Sequence, residues 1–221
     1  MTLAILYEDG EALVIDKPAG LPVDRPRQGG TSLDDHLDGL RLGFQRRPVP
    51  VHRLDRDTSG CLLLARNPKA LKRFNRAFED RLVGKIYLAI LAGHPPGSSG
   101  TIDTALAKVS TAEEGWRMVA DAAGKRAVTQ WELVATLADH SIIRFMPETG
   151  RTHQLRVHAL TGLGHPLLGD PIYGDGTGAA RTMLHAASLH VAREGKTAIA
   201  AAAPLPADFI ALGVDPGCLD P

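Results

Sequence analysis

The sequence of 221 residues contains few of the features that mark secreted, membrane or disulfide-stabilised proteins. It has two cysteines, Cys61 in an apolar run and Cys218 in a Gly- and Pro-rich tail, and their placement suggests no disulfide framework. No apolar run approaches the roughly 20 residues of a membrane span, and the first residues lack the basic and apolar segments of a signal peptide. We therefore expect a protein of the reducing, cytoplasmic compartment without a membrane partner.

Patterns that bind metals or nucleotides are also missing. The chain has nine histidines, but His153 and His158 are five residues apart, which separates them around a helix, and no His-Glu-x-x-His motif occurs. The glycines at 174–178 are not followed by the Lys-Ser or Lys-Thr pair of a phosphate-binding loop. We therefore expect neither a metal nor a cofactor.

Charge is unevenly distributed along the chain, although 25 basic and 25 acidic residues cancel overall. Residues 41–85 contain 12 Lys and Arg against 4 Asp and Glu, so this stretch carries +8 and the remainder carries −8. Such a concentration of positive charge is typical of a surface that faces a polyanion such as nucleic acid. A solvated basic surface is the alternative interpretation.

Hydrophobic periodicity and turn residues predict an α+β fold with several strands and isolated helices. Residues 5–20 predict a hairpin, and Thr31 or Ser32 is expected to cap a short helix. Further strands are expected at 85–91, 127–134 and 141–146, and further helices at 67–82 and 152–160. No repeat or linker marks a domain boundary, so residues 1–221 are expected to form one domain. No self-complementary apolar stripe stands out, and we expect a monomer.

The most informative segment, at 51–60, reads Val-His-Arg-Leu-Asp-Arg-Asp-Thr-Ser-Gly and leads into the apolar residues 61–65. It places the carboxylate of Asp55 between Arg53 and Arg56, next to a turn that precedes a buried strand. A carboxylate held ionised by neighbouring cations suits a nucleophile or a general base. A solvated surface turn is the alternative interpretation.

Two further segments carry groups that suit nucleic-acid chemistry. In the helix at 67–82, Leu71, Phe74 and Phe78 recur at core-facing spacing, and a separate basic stripe runs along the same helix. The stripe contains Lys69, Lys72, Arg73 and Arg76. It is either a contact with phosphates or a solvated face. Tyr87, at the start of an apolar strand, is either a cleft residue that stacks on a base or a core tyrosine.

The segment at 150–158 places many long hydrogen-bond donors at the start of a helix, where anions are favoured. The donors of the first turn are Arg151, His153 and Gln154, and Arg156 follows within reach of a partner carboxylate. The Gly- and Pro-rich segments at 164–174 and 181–186 are expected to form a fixed loop wall beside a site.

Taken together, these segments resemble the RluA-type pseudouridine synthases. The matching strings are LYEDGEALVIDKPAGLPV, HRLDRDTSGCLLLARN, GKIYLAILAG, ETGRTHQLRVHA, GHPLLGDPIYG and RTMLHAASL, which follow the order of that family from Leu6 to about Leu189. The pair HRLD and RTHQLRVH is the most specific of them. Residues 107–126 and the tail after Pro206 fit the family poorly, and these are the places where the choice of substrate is expected to differ.

The resemblance implies a single catalytic domain built on a long mixed, largely antiparallel sheet, with flanking helices and a central cleft. Because the pattern begins near Met1, the N-terminal RNA-binding module of many members is expected to be absent. Asp55 corresponds to the catalytic aspartate, Tyr87 to the cleft tyrosine and Arg156 to the arginine that pairs with Asp55. Arg53 matches a residue that enters the RNA stack in some members, and His52 and Arg56 are expected to contact RNA beside it.

The implied reaction converts specific uridines in structured ribosomal or transfer RNA to pseudouridine, after the uridine has left the helix. Asp55 would act either as a nucleophile or as a general base, and the sequence does not separate these roles. Two other functions remain open. One is a non-catalytic RNA-binding or ribosome-assembly module on the same scaffold. The other is a glycosidase that releases uracil, with Asp57 as its second carboxylate.

Overall fold

The computed structural model describes residues 2–111 and 115–219, and it confirms the α+β class. The strands are β1 Ala4–Glu8, β2 Ala12–Lys17, β3 Val49–Pro50, β4 Ser59–Ala65, β5 Val83–Leu91, β6 Ser99–Asp103, β7 Leu106–Thr111, β8 Gly115–Ala120, β9 Val128–Thr136, β10 Ser141–Pro147, β11 Leu184–Val191 and β12 Ile199–Ala202. The helices are α1 Pro68–Glu79, α2 Gln154–Leu163 and α3 Ala207–Ala211, with short 3₁₀ turns at Leu33–His36 and Pro216–Leu219.

Ten strands form one sheet in the order β1-β2-β4-β11-β5-β10-β9-β6, with β12 beside β11 and β3 beside β4. β7 and β8 form a separate two-stranded sheet. The chain divides into two compact units, Met1–Lys85 with Ala186–Pro204 and Ile86–His185 with Leu205–Pro221. Within the described residues, none of the helices has the length and apolarity needed to cross a bilayer.

The first unit is built around the predicted hairpin and the predicted helix α1. β1 pairs with β2, and β2 pairs with β4, both antiparallel. The Asn67 side chain caps α1 by accepting a hydrogen bond from the Ala70 N–H at 2.9 Å, and Pro68 occupies the first turn, as predicted. One face of α1 buries Phe74 against the sheet. The core of this unit therefore lies between α1 and strands β2, β4 and β11.

The C-terminal end of α1 comes three residues earlier than the sequence predicts. Arg81 adopts a left-handed conformation with φ 60°, and the N–H of Leu82 bonds the carbonyl of Ala77 at 2.9 Å. These are the features of a Schellman cap, a position where glycine is usual. The sequence lacks that glycine, which is why the helix was expected to continue to residue 82.

Gly60 allows β4 to begin directly after the Asp55 segment. Its φ is +106°, and a Cβ at this position would collide with the main-chain carbonyl of Ala186 in β11. Both the backbone conformation and the close approach therefore require glycine. The next residue, Cys61, is buried, and burial raises the pKa of its thiol to about 12. Its thiol stays protonated and acts as a core group.

The second unit packs α2 against β5, β9 and β10. β10 pairs antiparallel with both β5 and β9, and β9 pairs with β6. The core contains Phe145, Leu155, Ala159 and Leu163, with Tyr87 packed against its edge. The predicted helix 152–160 begins at Gln154 and extends to Leu163. Strands β7 and β8, which pair antiparallel, lie largely within the stretch 107–126 that fits the family pattern poorly.

Candidate active site

In the first unit, the backbone beside Asp55 is held by a buried lysine. Lys17, at the end of β2, is fully buried, and its Nζ donates to the carbonyls of Pro18 at 2.8 Å, Leu21 at 2.9 Å and Arg56 at 3.1 Å. The N–H of Gly20 donates to the same Arg56 carbonyl at 2.9 Å. Hydrogen bonds from a charged donor are stronger than those from a neutral donor, and three of them restrict the positions of the three carbonyls. The turn that carries Asp55, itself half-buried, is therefore fixed to the end of β2.

His52 ties the same segment to the unit core. Its Nε2 accepts a hydrogen bond from the Leu63 N–H at 3.0 Å, and its ring stacks on Phe78 with centroids 4.8 Å apart. Burial, followed by the nearby charge of Lys85, lowers the pKa of His52 to about 3. Burial also lowers the pKa of Lys85 to about 8. His52 is therefore a neutral hydrogen-bond acceptor that contacts Leu63 and Phe78. Its contact with RNA stays a prediction.

Arg53 and Arg56, which flank Asp55, are both exposed. Arg53 Nη1 lies 2.6 Å from Asp24 Oδ2, and each of these side chains is 65% exposed. Arg56 Nε approaches the Gly20 carbonyl at 3.4 Å and Asp57 Oδ1 at 4.0 Å. Exposed ion pairs of this kind contribute little stability. Arg53 can therefore exchange Asp24 for an incoming phosphate at a small cost.

The basic stripe of α1 contains both exposed residues and one residue, Arg73, that pairs with a mostly buried carboxylate. Lys72 is exposed, and Arg76 pairs with the exposed Asp80 at 3.3 Å. Arg73 instead pairs with the mostly buried Glu11. A contact of Arg73 with RNA would have to compete with that pair, so Lys72 and Arg76 are better placed than Arg73 for the predicted contact.

In the second unit, Arg156 is buried in α2 and bonded side-on to Asp170. Nε donates to Asp170 Oδ2 and Nη2 donates to Asp170 Oδ1, both at 2.7 Å. The guanidinium lies over the ring of Tyr173, 5.0 Å from its centroid. The sequence does not predict Asp170 as a partner of Arg156, because the Gly- and Pro-rich segment 164–174 indicates only a loop wall. The predicted pairing of Arg156 with Asp55 stays a prediction.

The turn before α2 uses its predicted donors in different ways. Gln154 is buried, and its amide donates to the Val128 carbonyl and to Thr129 Oγ1, both at 3.0 Å. Its Oε1 accepts from Thr149 Oγ1 at 2.8 Å and from the Arg151 N–H at 2.9 Å. An amide side chain has two donor and two acceptor positions, and all four are used here. The predicted contact of Gln154 with RNA would break these bonds, so the geometry favours a structural role in the turn.

His153 and Arg151 flank Gln154 and remain partly exposed. His153 has a left-handed backbone with φ 52°, its ring stacks on Trp116 of β8 at 5.0 Å, and its Nδ1 lies 2.9 Å from the Tyr173 hydroxyl. Arg151 Nε donates to the Arg126 carbonyl at 3.1 Å. The Trp116 stack connects β8 to the start of α2.

Tyr87 lies in β5, opposite Phe145 of β10, and is half-buried at the edge of the second unit's core. Its position agrees with either of the two interpretations that the sequence left open. Within the described residues, no three His, Cys, Asp or Glu side chains come together in a way that could hold a metal ion.

Comparison with known proteins assigns this arrangement to a family. Residues 11–161 match the family model described as RNA pseudouridylate synthase. An "Uncharacterized RNA pseudouridine synthase" of Zymomonas mobilis is 56% identical over 95% of this chain and 96% of its own length. The chain belongs to the RNA pseudouridine synthase family.

Two further comparisons place the synthase more closely. The "Ribosomal large subunit pseudouridine synthase D" of Zymomonas mobilis is 38% identical over 87% of this chain, which spans 64% of that relative's length. The structure of "Human RNA Pseudouridylate Synthase Domain Containing 1" superposes with a TM-score of 0.77, at 32% identity, over 93% of this chain and 84% of the human one. These relatives confirm the resemblance to RluA-type enzymes, and the synthase is an isomerase of uridine in RNA. The family match contains Asp55, Tyr87 and Arg156 but ends before Asp170.

Proposed function

We propose that this synthase isomerises specific uridines of structured RNA, with large-subunit ribosomal RNA as the first candidate substrate and a transfer RNA stem-loop as the second. The name of a relative, "Ribosomal large subunit pseudouridine synthase D", supports this order. The observation that carries the catalytic assignment is the Asp55 turn, because Lys17 fixes the backbone next to this carboxylate. Rigid placement of a reacting group is a large part of enzymatic rate enhancement. Residues 1–221 would act as one catalytic domain.

The chemistry needs neither an oxidant nor a cofactor. The bond between ribose C1′ and uracil N1 breaks, the uracil turns, and its C5 forms a new bond to C1′. The C5 proton is then released to water and N1 gains a proton, so that substrate and product have the same mass. Asp55 starts the sequence either by attacking C1′, which gives a covalent ester that the uracil later displaces, or by removing a proton from the ribose.

Arg156 and Tyr87 would support this step from the second unit. A guanidinium that approaches an ionised carboxylate keeps the carboxylate ionised, as Asp55 needs in either role. Tyr87 has an aromatic face for the uracil and a hydroxyl that can take part in proton transfer from C5. These roles rest on the family match of both residues together with the burial of Arg156 and the half-buried position of Tyr87 at the edge of its core.

RNA would be held mainly through its phosphates. Arg53, Arg56, Lys72 and Arg76 supply exposed charge in the first unit, and Arg151 and His153 supply partly exposed donors in the second. Removing a base from its stack costs a few kcal/mol, which phosphate contacts and an inserted Arg53 side chain would offset. Loops and single strands are therefore the least costly targets.

Tritium release tests the proposal directly. Unmodified large-subunit ribosomal RNA, labelled with tritium at C5 of its uridines, is incubated with the protein, and tritium is counted in the water. Stoichiometric release with unchanged RNA mass is expected for an isomerase. Binding without release would support a non-catalytic RNA-binding or assembly module, whereas a mass loss equal to uracil would support a glycosidase. A transfer RNA pool labelled in the same way separates the two candidate substrates.

A further inference from the structure

We propose that Asp170 is the positioning residue of Arg156, a role that rests on the proposed function of Arg156. Asp170 lies 14 residues after Arg156 and beyond the family match, which ends at residue 161. Its carboxylate has no solvent exposure, and the Arg156 side chain is 7% exposed. Neither side chain can therefore rely on water for its hydrogen bonds, and each depends on the other.

The contact is side-on and fixes the orientation of the guanidinium. Asp170 binds the edge formed by Nε and one Nη2 hydrogen, with both distances at 2.7 Å. A guanidinium has five N–H groups in a rigid plane, so this contact uses two and directs the remaining three along the opposite edges. Two parallel hydrogen bonds prevent the plane from rotating, which a single bond would permit.

Asp170 is itself immobilised by the loop in which it lies. Its Oδ1 also accepts the N–H groups of Ile172 at 2.9 Å and Tyr173 at 3.1 Å, and its carbonyl accepts those of Gly174 and Gly176, both at 3.1 Å. Burial opposes ionisation, but the hydrogen bonds and charge of Arg156 outweigh it and lower the pKa of Asp170. Asp170 is therefore an ionised anchor with a fixed position.

Tyr173, in the same loop, restrains the face of the guanidinium while Asp170 restrains its edge. The Tyr173 hydroxyl accepts a hydrogen bond from the Met118 N–H at 3.0 Å and lies 2.9 Å from His153 Nδ1. The ring under Arg156 is thus held at its distal end by β8 and by the start of α2. Residues 170 and 173 thus restrain both the edge and the face of the Arg156 guanidinium, whereas an α-helical arginine without these contacts would sample several rotamers.

The experiment measures single-turnover tritium release at saturating RNA, together with RNA affinity, for Asp170→Asn and Asp170→Glu. Asn cannot accept both hydrogen bonds from Arg156, and Glu keeps the charge but moves it by one methylene. Both substitutions therefore displace the Arg156 guanidinium. We expect the chemical rate to fall ~10- to 100-fold, the loss typical of a small misplacement, with RNA affinity changed less than ~3-fold. The control is Glu132→Gln, which removes the charge from another arginine–carboxylate pair of the same unit, Arg144 with Glu132 at 3.3 Å. It should leave the chemical rate unchanged.

A double-mutant cycle with Arg156→Lys distinguishes positioning from a general structural effect. Lysine has no planar guanidinium that Asp170 could orient. Adding Asp170→Asn to Arg156→Lys should therefore lower the rate by less than ~2-fold. Full additivity in the cycle, or a wild-type rate in both Asp170 variants, would overturn the inference while leaving the proposed function intact. A wild-type rate in Arg156→Lys and Arg156→Met would instead remove Arg156 from the proposed function, and the positioning role with it.

Discussion

Lys17 donates a hydrogen bond from its Nζ to the main-chain carbonyl of Arg56, 39 residues further along the chain and directly after Asp55. Substitution Lys17→Met removes this donor from one buried carbonyl, that of Leu21, and from two part-buried carbonyls, those of Pro18 and Arg56. The Arg56 carbonyl keeps the Gly20 N–H as a donor. We expect the free energy of unfolding to fall by about 1–3 kcal/mol, the cost of one buried acceptor without a donor, because the two part-buried carbonyls can bond to water instead. Urea denaturation measures the change.

The same variant should lower the chemical rate more than the affinity for RNA. The Asp55 turn loses its attachment to β2, whereas the exposed arginines beside it keep their charges. Lys196, which pairs with Glu11 at 2.9 Å and is 49% exposed, provides a control at a surface ion pair of the same unit. If Lys17→Met and Lys196→Met changed stability and rate equally, Lys17 would have no special relation to the Asp55 turn.

His52 makes stability depend on pH. Its pKa in the folded protein is about 3, below the ordinary value of 6.5, so the unfolded chain binds the proton more readily. Stability from this residue is therefore fully present above pH 6.5 and is lost as the pH falls through the range from 6.5 to about 3. We expect a loss of about 1 kcal/mol per pH unit between pH 6 and pH 4.5.

The measurement is a set of urea unfolding curves between pH 7 and pH 4.5 for the wild type and for His52→Gln. The glutamine carbonyl can still accept the Leu63 N–H but does not titrate, so the slope of stability against pH should become shallower by the His52 contribution. Identical slopes for both proteins would mean that His52 does not stay neutral in the folded state.

Arg53→Ala should weaken RNA binding and flatten its dependence on salt. If Arg53 releases Asp24 and contacts one phosphate, the slope of log affinity against log salt falls by about 1. Filter binding of ribosomal RNA between 50 and 200 mM salt, the range in which such contacts are resolved, measures both effects. Arg144→Ala, which removes an arginine that pairs with Glu132 at 3.3 Å, is the control. If the slope of log affinity against log salt were unchanged in Arg53→Ala, Arg53 would make no contact with an RNA phosphate.

The sequence is sufficient to predict elements that are determined by neighbouring residues, such as turn and capping residues. The hairpin β1–β2 follows from its turn residues, and α1 begins where Asn67 and Pro68 predict. The end of α1 was misplaced because Arg81 takes a left-handed conformation that a sequence assigns to glycine. Local patterns therefore identify helix starts better than ends when the capping residue is unusual.

The sequence does not predict contacts between residues that are far apart in the chain. Asp170 was part of a recognised motif, but nothing in its loop indicates that its carboxylate turns inward to Arg156 instead of facing solvent. The fully buried Lys17 is equally unexpected, because lysines are among the residues least often buried. Gln154 shows the converse, since its side-chain amide, for which the sequence predicts a contact with RNA, donates to the Val128 carbonyl and to Thr129 Oγ1 inside the protein.

We propose that the Asp55 carboxylate performs the chemistry and contributes little to holding RNA. Asp55→Asn keeps the size of the side chain and removes its charge, so RNA affinity should stay within ~3-fold of the wild type while tritium release falls by more than about 10³-fold. The most direct test is single-turnover tritium release from C5-labelled ribosomal RNA by wild type and Asp55→Asn at equal occupancy. We expect release by the wild type alone, and release by Asp55→Asn at the wild-type rate would show that the Asp55 carboxylate does not perform the chemistry.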